Sequence, residues 1–592
     1  MNPLKRATEQ TPSIVNKKLK MDASEEDAEV VSMDQDVSEE AGNAVSTAQS
    51  GRRPQIKLEN LLRAWNGVDL RKLFEGVDVK FTRFKKQPTW DSAYLDFNSF
   101  EERDKAIQKL NGHMYKNKKL AASIPPVKTP KAKGKAPVKN VEQEEDTRTP
   151  AERLADQTTP LWRISYEDQL KEKEEDMKAI LLKFKQELMK LAEGSAAAKK
   201  EIAWIQNATD PTGLPCPVEP IVPSPVINGY RNKCEFSMGS NFEGEDVVGF
   251  LVGLYKEGLV QVLEPGELKH IPPTAKAIAA AAQRFIRQSE FAVYDRITKK
   301  GFWRLLLVRT PRSGDVMVFV QINSQGSDSV LVDKEKIKMK AFFEECVKAG
   351  EFPLTTLIFQ DTDGVFNGIK DDNPVEVVIG PGEIHEEMLN LRFRISPFSF
   401  FQVNTPAAEL LYTTVREWCR LDNAIQTENS STTLLDLCCG TGTIGITMAS
   451  QVTRVVGIEI IASAVQDAEK NAAANGITNA VFVADRVEAA IQNTIKQHCP
   501  PGSTVIAVMD PPRPGVHAKV VTAVRECALI DRVVFVACDA EKSMPNWIDL
   551  CRPTGGRIRG KPFRIERTQP FDLFPHTKHV EFVLEFVRDK KM

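Results

Sequence analysis

The sequence predicts a multidomain α/β protein whose last third is a doubly wound parallel sheet. Three observations predict it. At 592 residues the chain is longer than one hydrophobic core supports, so several modules are expected. From about residue 405 strand and helix patterns alternate, as they do when helices flank a parallel sheet. Before that point short strands mix with few helices, the pattern of α+β domains. Composition narrows the function classes. A net charge of −2 supplies no global basic field, so any nucleic-acid partner has to be recognised by local charge. Ten cysteines without a C-x-x-C pair argue against a disulfide framework and a zinc site, which points to a reducing compartment and no metal. No apolar run approaches the ~18 residues needed to span a bilayer, and the N-terminus lacks a signal-peptide core. A soluble, intracellular chain with no membrane partner is expected.

Residues 1–52 form an expected disordered tail, acidic in "DASEEDAE" and without periodicity. Lys5 and Arg6 stand ahead of Lys17, Lys18 and Lys20, a spacing that resembles a bipartite nuclear import signal. A solvated basic tail accounts for it equally well, so the location is cytoplasmic, nuclear or both. Residues 53–126 read β-α-β-β-α-β, from "IKLENL" to "KKLAASI", an order that resembles an RNA-recognition motif. That module stacks bases on aromatics of its two central strands. Here Lys57 and Ser92 occupy two such places and Tyr94 is the remaining aromatic, with Phe97 assigned to the core. Losing two platforms worth ~1–3 kcal/mol each leaves a weak RNA or protein contact module.

Residues 127–160 read as a basic, proline-containing linker, and 161–206 as a helical connector. Ser165 and Asp168 form an S-x-x-D start for a long helix. Leu170, Met177, Leu181, Phe184, Leu188 and Leu191 fall on one stripe, and Gly194 ends it. One interrupted stripe is short for a zipper and fits a helix lying on its own protein. Residues 215–395 read as a central α+β domain, an RNA-contact candidate, in which "YRNK" sets two cations at a strand start. They are ordinary surface charge or phosphate ligands.

Residues 396–592 carry the chemistry. "TLLDLCCGTGTIGITMA" is strand, glycine turn, helix, and Glu459 ends the next strand. Gly440, Gly442 and Gly445 also satisfy G-x-G-x-x-G, so a nicotinamide dinucleotide fold has to be weighed. "VIAVMDPPRPG" then ends a strand at Asp510, followed by a rigid Pro-Pro turn and Arg513. That turn resembles S-adenosylmethionine-dependent methyltransferases with a Rossmann-like domain. Arg513 replaces the aromatic that accompanies amine methylation, which disfavours an exocyclic amine as target. Cys538 lies one strand further on, at the edge where open α/β sheets bind ligands. A lone cysteine there ordinarily fills core. Yet carbon 5 of a pyrimidine needs a thiolate added at carbon 6 before it accepts a methyl group, and a base must then remove its proton. In "DLFPHTKHVEFVLEF", Val580, Phe582, Leu584 and Phe586 share one face and Glu581 lies on the other. Taken alone, Glu581 is a surface glutamate.

"FRISPFSFFQVN", "DLCCGTGTIG", "DPPRPG", "ACDA" and "LFPHTKHVE", in that order, resemble the RNA 5-methyluridine methyltransferases. The resemblance implies Cys538 as nucleophile and Glu581 as general base. It assigns Gln402, Cys438, Thr443, Glu459 and Asp510 to the pocket of S-adenosyl-L-methionine, with Gln402 on the cofactor and Glu459 on its ribose. It implies tRNA as partner, with other structured RNA as a further class, and the T-loop uridine as target. Some bacterial relatives hold a 4Fe–4S cluster; only Cys216 and Cys234 lie in the corresponding region, so no iron–sulfur cluster is expected. Around the nucleophile the family has Ser-Cys-Asn-Pro, whereas this chain has Ala537, Asp539 and Ala540. An anionic Asp539 is expected to raise the Cys538 thiol pKa. A tRNA-binding chaperone with weak or no methyltransferase activity is the alternative. Cytosine methylation is disfavoured, because the Asp-Pro-Pro region has no second cysteine.

Overall fold

The computed structural model describes residues 54–62, 67–85, 91–116, 118–125, 148–206, 212–252, 260–362, 373–421, 431–499, 502–555 and 558–588. The chain divides into two compact units, Met1–Glu144 and Glu145–Met592. The expected tail with its import-like cluster, and the basic part of the expected linker, lie outside the described residues.

In the first unit, four antiparallel strands run in the order Arg83–Lys85, Ala93–Asp96, Gln55–Glu59, Ala121–Ser123. Strict alternation turns Ile56 and Leu58 inward and leaves Gln55, Lys57 and Glu59 on the other face. The helices Gly67–Gly76 and Phe100–Leu110 contribute Leu70, Leu73, Phe74 and Leu110 to the core, which includes Phe97 as expected. Ser99 caps the second helix by accepting the Glu102 amide.

The second unit starts earlier than the expected linker allows. A Thr149/Glu152 capping box opens a helix over Pro150–Thr158, and Leu154 and Ala155 enter the core of the central sheet. The long helix spans Tyr166–Leu191, with Ser165 accepting the Asp168 amide. Met177, Leu181, Phe184 and Leu188 are buried against the C-terminal domain, so the helix does lie on its own protein. The stripe differs from the periodicity at its ends. Leu191 is 44% exposed at one end, and at the other Leu170 is half-buried while Gln169 and Lys173 are fully buried.

The central sheet has the strand order Val375–Ile379, Thr356–Asp361, Met317–Ile322, Trp303–Arg309, Lys233–Ser240, Asp246–Leu251, Val262–Leu263. Helices Pro273–Ile286 and Ser329–Lys348 bury Ile278, Ala282, Met339 and Phe343 in the core on one side. From the other side Leu305, Leu307 and Phe319 join the hairpin Ile384–Met388/Leu391–Ile395 and the helix Thr405–Trp418 in a core shared with the C-terminal sheet. The chain thus changes sheet near residue 395 without a break in packing.

The C-terminal strands are β1 (Thr432–Leu437), β2 (Arg454–Glu459), β3 (Ala480–Ala484), β4 (Thr504–Met509), β5 (Ile530–Ala537), β6 (Arg564–Phe571) and β7 (Glu581–Val587). Their order is β3-β2-β1-β4-β5-β7-β6. The first five are parallel, and β7 inserts antiparallel between β5 and β6. Dinucleotide-binding sheets instead continue with a parallel sixth strand. β5 and β7 are hydrophobic along nearly their whole length because helices cover the sheet on both faces. Among the described residues no helix is long and apolar enough to cross a membrane.

Candidate functional site

The site occupies the carboxyl edge of the C-terminal sheet. Asp436, near the end of β1, is fully buried; its Oδ2 accepts the Gly445 amide at 2.8 Å, and among the described residues none hydrogen-bonds its Oδ1. Burial pushes this carboxyl up to about 7. The chain then turns through Cys438 (φ 67°), Gly440 (φ 54°) and Gly442 (φ 77°) into the helix Thr443–Met448. A Cβ on Gly442 would meet Ala468 and Phe482 at 2.9 Å, and one on Gly445 would lie 2.7 Å from Val455 Cγ1. The glycine pattern thus serves a left-handed turn and close packing of helix on sheet. Glu459, at the end of β2, accepts the amides of Gly440 at 3.1 Å and Ile461 at 3.0 Å.

These elements wall a cavity lined by Gln402, Tyr412, Asp436, Cys438, Thr443 and Asp510 among others. Four of the five residues assigned to a cofactor pocket therefore meet at one cavity. The fifth, Glu459, is not among the lining residues and braces the glycine turn behind it. Gln402 is buried, and its side chain hydrogen-bonds the Tyr412 hydroxyl. Burial, followed by the charge of Glu459, pushes the Cys438 thiol up to about 12. Asp510 follows β4, and burial with the nearby Asp436 pushes its carboxyl up to about 7.

Cys538 follows β5 and is partly exposed. Glu581 opens β7 and is only 3% exposed, so the surface reading of this glutamate is overturned. The sheet brings the two together. β5 and β7 pair Ala537 with Phe582, and one residue further along both antiparallel chains stand Cys538 and Glu581. Their electrostatics agree. Burial, then Glu581, then Asp510 push the Cys538 thiol up to about 12, and Arg513 opposes them. Burial and Asp510 hold the Glu581 carboxyl well above the usual range, again opposed by Arg513. Cys538, Glu581, Asp510 and Arg513 thus form one charge-coupled group.

The structure gives Asp539 a different task from the expected one. It caps the helix Ala540–Cys551, accepting the Lys542 amide at 3.1 Å and the Lys542 ammonium at 2.5 Å. Burial opposes its ionisation, yet these partners hold its carboxyl below the usual range. The charges that raise the thiol are those of Glu581 and Asp510. In the same helix Asn546 clamps the loop after the Asp-Pro-Pro turn, accepting from Val516 N at 2.9 Å and donating to Val516 O at 2.8 Å.

"YRNK" matters through its asparagine. Asn232 Nδ2 lies within hydrogen-bonding distance of Gln402 O (3.1 Å), Glu386 Oε2 (3.2 Å) and Thr405 Oγ1 (3.0 Å), tying the central sheet to the cavity wall. Lys233 pairs with Glu235 at 2.8 Å. Sequence reasoning passed over Asp436, Tyr412, Asn546 and Phe400. Phe400 lines the cavity yet is 70% exposed; its only signal was a double phenylalanine beside Gln402. Cys216 and Cys234 stand in two different apolar cores. Among the described residues no three His, Cys, Asp or Glu side chains are placed to hold a metal.

Residues 386–588 match the family model described as tRNA (Uracil-5-)-methyltransferase. The human tRNA (uracil-5-)-methyltransferase homolog A is 35% identical over 541 residues, covering 90% of this chain and 82% of that protein. The human homolog B is 39% identical over 444 residues, covering 74% and 84%. The crystal structure of Pyrococcus abyssi tRNA (uracil-54, C5)-methyltransferase in complex with S-adenosyl-L-homocysteine is 21% identical, covers 72% of this chain and 85% of that one, and superposes with a TM-score of 0.49.

Proposed function

Since the chain belongs to the tRNA (uracil-5-)-methyltransferase family, we propose that it methylates carbon 5 of a tRNA uridine, the one in the T-loop, through a covalent adduct on Cys538. The observation that carries this reading is the β5–β7 register, which sets a thiol and a buried carboxyl side by side at the sheet's ligand-binding edge.

The residues present fit S-adenosylmethionine. The cavity lies where the glycine turn meets the ends of β1 and β4, the ligand-binding edge of the sheet. Its walls offer the Asp436 carboxylate oxygen that no described residue hydrogen-bonds, the Gln402 amide and the glycine turn. Gln402, Cys438, Thr443 and Asp510 would hold the cofactor, with Glu459, held against the glycine turn at the end of β2, on its ribose. When bound, the cofactor supplies an electrophilic methyl group. Cys538 Sγ, as the thiolate, adds to carbon 6 of the uracil and forms the S–C bond, pushing an electron pair to carbon 5, which would be spent on the bond from carbon 5 to the methyl group the cofactor supplies. Glu581 then takes the proton from the methylated carbon 5, and the S–C bond breaks to restore the 5,6 double bond and free the thiolate. Burial suits the base. A carboxyl held above its usual range is a stronger base than a surface glutamate. It works against the nucleophile, because a thiol pushed to about 12 is seldom ionised and the greater nucleophilicity of its thiolate offsets only part of that loss. The target base has to leave its loop stack to reach this pocket.

The first unit supports RNA contact of a weaker kind. Its strand order and two helices resemble an RNA-recognition motif, and Lys57 stands opposite Tyr94 on the outward face. Lys57 is paired with Glu59 at 2.5 Å, which leaves Tyr94 as the stacking candidate there. A second reading, a tRNA-binding chaperone with little catalysis, is favoured by the raised thiol alone.

Nucleoside mass spectrometry of tRNA incubated with S-adenosylmethionine separates the two readings. Substrate carrying 5-fluorouridine at the target tests the mechanism, because fluorine cannot leave as a proton does. It should trap a protein–RNA complex that survives denaturing gels and forms only with the cofactor. Cys538→Ala should form none. Glu581→Gln should accumulate the methylated adduct on natural RNA, with proton removal slowed by ~10²–10⁴. Equal adduct levels in wild type and Cys538→Ala would sink the mechanism.

A further inference from the structure

The segment between β6 and β7 delivers Glu581 to the site, and side chains distant in sequence pin it. Asp572 Oδ1 accepts the Lys173 ammonium at 2.6 Å, with both side chains at most 1% exposed. The same ammonium donates to Phe574 O at 3.2 Å. Gln169 Oε1 accepts the His576 amide at 2.7 Å, and Leu161 N donates to His576 O at 2.9 Å. On the other side Asn404 donates to Leu573 O at 3.0 Å, the Tyr230 hydroxyl donates to Pro575 O at 3.1 Å, and the His576 ring meets Asn228 at 2.9 Å. His576 holds φ 69°, a conformation uncommon for a residue with a side chain. The path of the segment is therefore imposed by its partners.

Among the described residues none hydrogen-bonds the Glu581 carboxyl, so its place is set by the backbone that leads into it. An apolar contact tolerates a slip of that backbone. A buried ion pair does not, because any slip leaves a desolvated charge unpaired. We propose that Lys173 and Gln169, on the helix Tyr166–Leu191, are positioning residues that hold residues 572–577 so that Glu581 faces Cys538. The inference rests on the reading of Glu581 as the base.

The test uses the full chain. Lys173→Met alone leaves Asp572 unpaired and risks misfolding, so the informative variant is Lys173→Met/Asp572→Asn, which removes both charges and keeps an acceptor for the Phe574 amide. Leu181→Ala, in the same helix but buried in the apolar core, is the control for lost stability. The double variant should show faster amide exchange across 572–581, a fall in kcat of about 10–100-fold, an unchanged KM for tRNA, and accumulated methylated adduct. Leu181→Ala should lower the melting temperature without adduct accumulation. Wild-type exchange across 572–581 in the double variant, or a kcat loss no larger than that of Leu181→Ala, overturns the proposal. Should the wild-type enzyme form no methylated product, the base assignment falls, while the exchange comparison still decides whether the helix holds the segment.

Discussion

Asp539 shows how a single residue can change meaning between chain and fold. Beside Cys538 in sequence it reads as a charge that suppresses the thiolate; in the structure it caps a helix and pairs with Lys542. Asp539→Asn keeps an oxygen for the Lys542 amide, so turnover should stay at the wild-type level and the melting temperature should barely move. Asp539→Ala removes the cap and should cost ~1 kcal/mol, read as a lower melting temperature with little change in kcat. A loss of turnover beyond ~10-fold in Asp539→Asn, about 1.4 kcal/mol in the barrier, would give the carboxylate a part in the chemistry. Cys538 and Glu581 were legible as candidates because "ACDA" and "LFPHTKHVE" are short contiguous motifs. The burial of Glu581 was not. Strand alternation tells which residues share a face, but not that the second face is covered too.

At the scale of the element, the turn from β1 into the helix Thr443–Met448 was readable from its glycines, since a left-handed turn demands them locally. Gly442→Ala has to place a methyl group 2.9 Å from Ala468 and Phe482 while holding φ at 77°. It should destabilise the protein by ~1–3 kcal/mol and weaken S-adenosylhomocysteine binding about tenfold. Thermal unfolding and titration calorimetry check the two halves, and unchanged affinity would detach the turn from the cofactor site. The long helix was readable in extent from its Ser165 start and apolar stripe, with a different outcome at its ends. Periodicity marks Leu170 and Leu191 because they are apolar. The fold buries Gln169 and Lys173 because Asp572, Phe574 and His576 offer them partners.

At the scale of the molecule, the division into Met1–Glu144 and Glu145–Met592 makes the first unit separable. Deleting residues 1–126 should leave methylation in place and weaken RNA affinity modestly, by filter binding, because the cavity and the Cys538–Glu581 pair lie wholly in the second unit. A folded truncation that no longer methylates would show that the first unit is needed to dock the substrate. Deletion through Leu191 should abolish folding, since Met177, Leu181, Phe184 and Leu188 are core of the C-terminal domain, and each such side chain is worth ~2–5 kcal/mol. By itself the sequence determined the doubly wound architecture, the glycine turn, the Asp-Pro-Pro turn and the identity of the candidate nucleophile. The two turns and the nucleophile are encoded in windows of a few residues, and the architecture in the alternation of strand and helix periods from about residue 405 onward, where backbone preference and hydrophobic period act. Only the tertiary structure decided that β7 inserts antiparallel beside β5, that Glu581 thereby meets Cys538, and that a distant helix pins the segment leading to it. Strand order and polar partnership are settled by packing between segments far apart in the chain, and no local pattern records which of them will meet.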